Sequence, residues 1–158
     1  ALEDIIKLCK RKNVILELDI ADDDRFCDDY VADLFKLVQK HGMLSRTVFC
    51  AKKSRLEKLQ SISSCVCISV SGVTNMKTAE EALSLKAKSL SINVSIPFTN
   101  ITPELCEYVH NMGMYVKTWT YNNDSDMDKA FEKGADYVIV KNVIPSKDSK
   151  AQKPQTKE

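Results

Sequence analysis

Two carboxylates separated by one residue are the first candidates for chemistry in this chain. Glu17 and Asp19 lie in Val14–Ile20 (VILELDI), a run too apolar for a surface strand, and strand side chains repeat every two residues, so both take one face. A second set lies in Met114–Tyr121 (MYVKTWTY), where the same alternation groups Tyr115, Lys117, Trp119 and Tyr121. Trp119 is the only tryptophan of the chain. The runs Cys65–Ser71 and Leu90–Ile96 add Cys67, Ser69 and Ser71, then Ser91, Asn93 and Ser95, to that parity. Polar and charged groups gathered on one such face can form a site for an anionic or hydroxylated small molecule. An internal pair of Lys117 with Glu17 or Asp19 accounts for the same residues equally well. A Schiff base formed through Lys117 or Lys141 is a third option, without a neighbouring base to support it.

The elements that must carry these residues alternate. Apolar residues at helical spacing predict a helix over Leu2–Lys12 ended by Asn13. A second helix is capped at Asp22-Asp23-Asp24, carries Phe26, Tyr30, Val31, Leu34, Leu37 and Val38, and stops at Gly42. A strand over Arg46–Ala51 leads to a helix over Ser54–Ile62, the strand Cys65–Ser71, a helix over Lys77–Lys88 and the strand Leu90–Ile96. Thr102 as cap and Pro103 at the first position start a helix ending at Gly113. After Met114–Tyr121 come a helix over Asp126–Lys133, stopped by Gly134, and the strand Asp136–Val140.

Six strands, each preceded by a helical segment, imply an α/β fold with a parallel sheet and right-handed crossovers. One strand parity is apolar throughout (Leu16/Leu18, Val66/Ile68/Val70, Ile92/Val94/Ile96), while the other carries polar and charged groups. Helices covering both faces of an open sheet would bury those charges at high cost. A TIM-barrel-like arrangement, incomplete because eight units take about 250 residues, explains the split better. The expected organisation is one barrel-type domain over residues 1–145 and a disordered polar tail over 146–158.

The 158 residues carry 23 basic and 22 acidic side chains, so the net charge of +1 offers no overall field for nucleic acid. No apolar run reaches the roughly 20 residues of a membrane-spanning helix, so no membrane span is expected. Six cysteines (Cys9, Cys27, Cys50, Cys65, Cys67, Cys106) lack ligand spacing and read mostly as small buried hydrophobes, which leans towards a reducing, cytoplasmic location. His41 and His110 each precede a helix-ending turn, where a cation complements the helix dipole.

The segment from Glu104 to Val138 resembles the C-terminal end of the glycerophosphodiester phosphodiesterases. Trp119-Thr120-Tyr121-Asn122 and Gly134-Ala135-Asp136-Tyr137-Val138-Ile139 match that family's motifs with the right separation, and ALEDIIKLCKRKNVILELDI resembles the segment that carries a metal-binding glutamate, here Glu17. The resemblance implies hydrolysis of glycerophosphodiesters to an alcohol and glycerol phosphate, with a divalent cation, Mg or Ca, as cofactor. It implies that Glu17 is a metal ligand and that Trp119 packs against the glycerol moiety of the substrate; Asp19, on the face of Glu17, stands where the family has a lysine and is expected to supply a second metal carboxylate, and strand parity adds Lys117 and Asn93 to Trp119 as expected substrate contacts. The family's catalytic histidines and Glu-x-Asp metal pair are absent from these residues, so no catalytic residue is assigned. The chain is expected to be a truncated, inactive portion or, alternatively, a non-catalytic binding or oligomerisation module. An apolar sheet edge left by missing strands makes a homo-oligomer a further expectation.

Overall fold

The computed structural model describes residues 1–21, 29–142 and 144, which divide into two compact units. The fold class is the expected one, α/β, with six parallel strands alternating with helices.

The first unit comprises Ala1–Ser71 and Ala82–Ile92. It holds helices α1 (Leu2–Lys12), α2 (Asp29–Lys40) and α3 (Lys53–Ile62), and strands β1 (Leu16–Asp19), β2 (Thr47–Ala51) and β3 (Cys67–Val70). The three strands pair in parallel, with Leu18 opposite Phe49 and Phe49 opposite Ile68, and this apolar row is buried. Leu34, Val38, Leu56 and Leu59 of α2 and α3 are buried too, as the helical periodicity requires. Asn13 ends α1 in the left-handed conformation (φ 55°), which asparagine tolerates at a helix end. The cap at Asp22–Asp24 and Phe26 of the second predicted helix lie outside the described residues.

Helix α1 is tied to the end of α2 by polar contacts. The Lys10 ammonium donates to the His41 carbonyl oxygen at 2.8 Å, and the His41 ring lies 2.9 Å from a Glu3 carboxylate oxygen. His41 and Lys40 hold that carboxyl below the usual range.

The second unit comprises Gly72–Glu81 and the residues from Asn93 onward. It holds α4 (Met76–Ala82) as far as Glu81, β4 (Ser91–Pro97) from Asn93 on, α5 (Pro103–Asn111), β5 (Tyr115–Tyr121), α6 (Asp124–Glu132) and β6 (Tyr137–Val140). Strands β4, β5 and β6 pair in parallel in that order, and α5 and α6 pack on β5. Thr102 caps α5 as expected, its hydroxyl accepting from the Leu105 N–H at 3.2 Å; Asn123 does the same for α6 through Asp126 at 2.9 Å.

Three expectations need correction. The predicted helix over Lys77–Lys88 is α-helical only to Ala82, and Leu83–Lys88 is a 3-10 helix in the first unit. There the buried Gln60 amide donates to the Leu85 and Lys88 carbonyls and to Ser89 Oγ, supplying partners that an α-helix would have found within itself. Tyr121 does not share the face of Lys117 and Trp119. Between Thr118 and Tyr121 the register shifts, three steps on β5 answering two on β6, so the strand bulges and Tyr121 crosses over. Its hydroxyl lies 3.1 Å from that of Thr118, and both residues are buried. The cysteines are less uniformly buried than expected: Cys50 and Cys106 are buried, Cys65 is exposed, and Cys9 and Cys67 lie between; all five carry free thiols. Cys27 and the polar segment 146–158 lie outside the described residues.

Candidate functional site

In the first unit β1 alternates between buried and exposed positions. Leu16 and Leu18 turn inward, and Glu17 and Asp19 take the other, exposed face. Register carries that face across the sheet: Glu17 lies opposite Val48 and then Cys67, and Asp19 opposite Cys50 and then Ser69. Asp19, Cys50 and Ser69 thus form one row near the C-terminal ends of their strands, where parallel α/β folds gather their chemistry. Ser69 is fully buried, and among the described residues its hydroxyl has no hydrogen-bond partner.

In the second unit the corresponding face is built by β4, β5 and β6. Asn93 lies opposite Tyr115, Ser95 opposite Lys117, and Pro97 opposite Trp119; Lys117 in turn lies opposite Tyr137. Strand neighbours are spaced about 5 Å across a sheet and about 7 Å between alternate residues along a strand, so on this one face Lys117 lies about 7 Å from Trp119 and about 8 Å from Asn93, with Asn93 and Trp119 about 14 Å apart. Lys117 is only 2% exposed, while Trp119 is 40% exposed. The opposite face carries Val94, Ile96, Val116 and Thr118, all buried.

The three proposed substrate contacts are therefore brought together in one unit. Glu17 and Asp19 are brought together in the other. Strand parity includes Ser69 and Tyr115 in the polar parity but not Tyr137, whose ring meets that of Tyr115 edge to face at 6.2 Å. Tyr115 was placed on this parity, but Tyr137 sits in an unbroken apolar run, and only its register with Lys117 puts it here. Although half of Tyr137 is exposed, partial desolvation, with Asp136 and Tyr115 nearby, raises its phenol above its ordinary pKa.

Both histidines engage carboxylates. His110 Nε2 lies 2.8 Å from Asp136 Oδ2, which also accepts the Val116 N–H at 2.8 Å. Asp136 thereby joins the end of α5 to the middle of the sheet. Beside it Cys106 is buried, and its thiol is pushed up to about 11, chiefly by desolvation and then by Asp136. A thiol of that kind is a poor nucleophile.

Hard divalent cations take six or more oxygen ligands. Among the described residues no group of three or more His, Cys, Asp or Glu side chains could hold a metal ion, so Glu17 and Asp19 do not by themselves fit one. Among the described residues no helix is long and apolar enough to cross a membrane.

Several of the solved structures similar to this chain are phosphodiesterases. An Oleispira antarctica phosphodiesterase in complex with the product sn-glycerol-3-phosphate superposes with a TM-score of 0.77 at 14% identity, over 88% of this chain and 56% of that one. A Galdieria sulphuraria protein assigned as a glycerophosphodiester phosphodiesterase gives 0.76 at 22% identity, over 88% and 59%. A Silicibacter pomeroyi protein assigned as a glycerophosphoryl diester phosphodiesterase gives 0.76 at 20%, over 88% and 52%. At these identities the likeness carries the fold, a TIM-barrel-like α/β arrangement of which the described residues supply six strands, and the chain spans between half and three-fifths of those relatives' length. No curated protein matches it. Residues 2–144 match the model of the glycerophosphoryl diester phosphodiesterase family, and the chain belongs to that family.

Proposed function

We propose that this chain supplies one wall of a glycerophosphodiester-binding pocket and does not hydrolyse such substrates alone. The observation that carries the proposal is the placement of Lys117, nearly buried, on the same strand face as Asn93 and the half-exposed Trp119. An ammonium at low exposure favours a phosphodiester anion, because the interaction strengthens as water is excluded. The indole offers a flat apolar surface to glycerol carbons, and the Asn93 amide offers a donor and an acceptor to hydroxyls. The product held by the Oleispira relative, sn-glycerol-3-phosphate, has this combination of charge and hydroxyls.

In this reading Glu17 and Asp19 are carboxylates contributed towards a divalent-cation site, Mg or Ca, whose other oxygens come from elsewhere. That cation would stabilise charge developing on the phosphoryl oxygens. The chain's own residues bind and orient the substrate; general acid–base work needs a group that titrates near neutrality, and His41 and His110 are already engaged with Glu3 and Asp136. A reducing, cytoplasmic setting suits the free thiols.

Two measurements test the proposal. Incubation with glycerophosphocholine and Mg²⁺ or Ca²⁺ should release no choline above a protein-free blank; clear turnover would overturn the inactivity. Trp119, the lone tryptophan, should report sn-glycerol-3-phosphate as a saturable fluorescence change, with Lys117→Met weakening binding about tenfold or more. An unchanged signal at saturating ligand would remove the pocket wall. A second reading, a non-catalytic oligomerisation module, is favoured by the exposed Tyr115, Tyr137 and Ile139 beside Trp119. Sedimentation of a stable monomer, indifferent to ligand, would count against it.

A further inference from the structure

The bulge that turns Tyr121 away from Lys117 and Trp119 gives it a place in a different cavity. This space, about 160 Å³, lies wholly within the second unit, between α6 and the connection from β4 to α5. Tyr121 and Phe98 form an aromatic wall, with ring centroids 6.2 Å apart at 65°. Ile101 and Ala130 complete the apolar lining. Asp126, Lys129, Ala130 and Lys133 line the cavity at helical spacing, so one stripe of the helix and its end carries three charged groups past it.

Those charges do not cancel. Lys129 is paired with Asp126 at 3.1 Å, and Asp126 also accepts from the Asn123 side chain. Lys133 has no such carboxylate: among the described residues its partner is the Ile101 carbonyl oxygen at 3.2 Å. One ammonium of three donors therefore stands at the cavity with net positive charge around it. Phe98, at the same lip, is 55% exposed and offers an open apolar surface beside Lys133.

We infer that this cavity is a binding site for a small organic monoanion, a carboxylate on a single ring or a short branched chain. The apolar body would sit against Tyr121, Phe98 and Ala130, and the carboxylate would meet Lys133. The volume is below the range of drug-sized pockets, which limits the ligand to fragment size. The Asp126 carboxylate on the rim disfavours dianions. The site is separate from the Lys117 and Trp119 face, since Tyr121 lies on the helix-covered side of β5.

The test is a titration of the isotope-labelled chain with sodium benzoate, followed by amide shifts, with benzylamine as an isosteric cation. Benzoate should give saturable shifts at Ile101, Tyr121 and Ala130 with millimolar affinity, and benzylamine should not. Lys133→Gln should weaken benzoate about threefold, the effect of a partly solvated ion pair, and salt should weaken it further in the parent. Phe98→Ala should also weaken it; both side chains are exposed, so both variants keep the fold. Benzoate shifts that never saturate, shifts that benzylamine reproduces, or an unchanged affinity in Lys133→Gln would each overturn the inference. None of these outcomes bears on binding of sn-glycerol-3-phosphate at Trp119, so the two sites fail or stand separately.

Discussion

Replacing Gly134 by alanine should destabilise the second unit through two separable effects. Gly134 follows α6 with φ 103°, a conformation that costs an L residue about 1–2 kcal/mol. A Cβ built there also meets Cys106 Cβ at 3.0 Å. The neighbour is the first atom of a helical side chain, so it cannot swing away, and overpacking of this kind costs about 1–3 kcal/mol. Together the expected loss is about 2–5 kcal/mol, a large share of a typical domain's stability. The consequence reaches the sheet, because the turn delivers Asp136 to the Val116 N–H and His110. Urea unfolding followed by circular dichroism measures the loss as a lower midpoint at unchanged slope. Cys106→Gly separates the terms: it removes the contact, and although it costs about 1 kcal/mol as a helix glycine, the double variant should be less destabilised than the sum of the singles. Gly134→Ala within about 0.5 kcal/mol of the parent would refute the reasoning, and strict additivity would refute its steric half.

Three further outcomes are expected. Gln60→Leu strips the Leu85 and Lys88 carbonyls of a buried donor and should cost about 1–3 kcal/mol; an unchanged urea midpoint would contradict that role. Tyr121→Phe leaves the buried Thr118 hydroxyl without the phenol and should cost about 1 kcal/mol, and in the parent the Tyr121 phenol should ionise above the ordinary tyrosine range in an ultraviolet titration. Cys106, with its thiol at about 11, carries about a hundredfold less thiolate at pH 8 than an ordinary cysteine, so iodoacetamide mapped by mass spectrometry should label exposed Cys65 first. The native state keeps that proton after the unfolded chain has lost it. The thiol's contribution to stability is thus complete below about pH 9 and declines as pH rises towards about 11; equal labelling rates for Cys65 and Cys106 would contradict the burial.

Much of the fold was legible along the chain because backbone geometry imposes its own periods. Helical spacing with Asn13 behind it bounded α1, and Thr102-Pro103 started α5, with no reference to anything distant. Strand parity likewise placed Glu17 with Asp19, and Lys117 with Trp119, on the faces where they lie. Asn93 joined Lys117 and Trp119 by the same count. Gly134 was readable as a stop, though not the close approach of Cys106 that makes it hard to replace.

What tertiary structure alone decided concerns partners far along the chain. The side taken by Tyr121 depends on how many residues of β6 answer those of β5, and β5 by itself contains no record of that count. The 3-10 form of Leu83–Lys88 depends on Gln60, whose amide is 2.8 Å from the Leu85 carbonyl oxygen in space but 25 residues from Leu85 in sequence. The ends of two helices marked His41 and His110 as dipole partners, yet Glu3 and Asp136, which hold them, lie 38 and 26 residues away. Burial followed the same rule: parity named the face of Lys117 and Trp119, but only the packing of neighbouring strands made one nearly buried and left the other half open. Periodicity is a property of a single segment, whereas register, hydrogen-bond completion and burial are properties of pairs, and pairs exist only once the chain has folded.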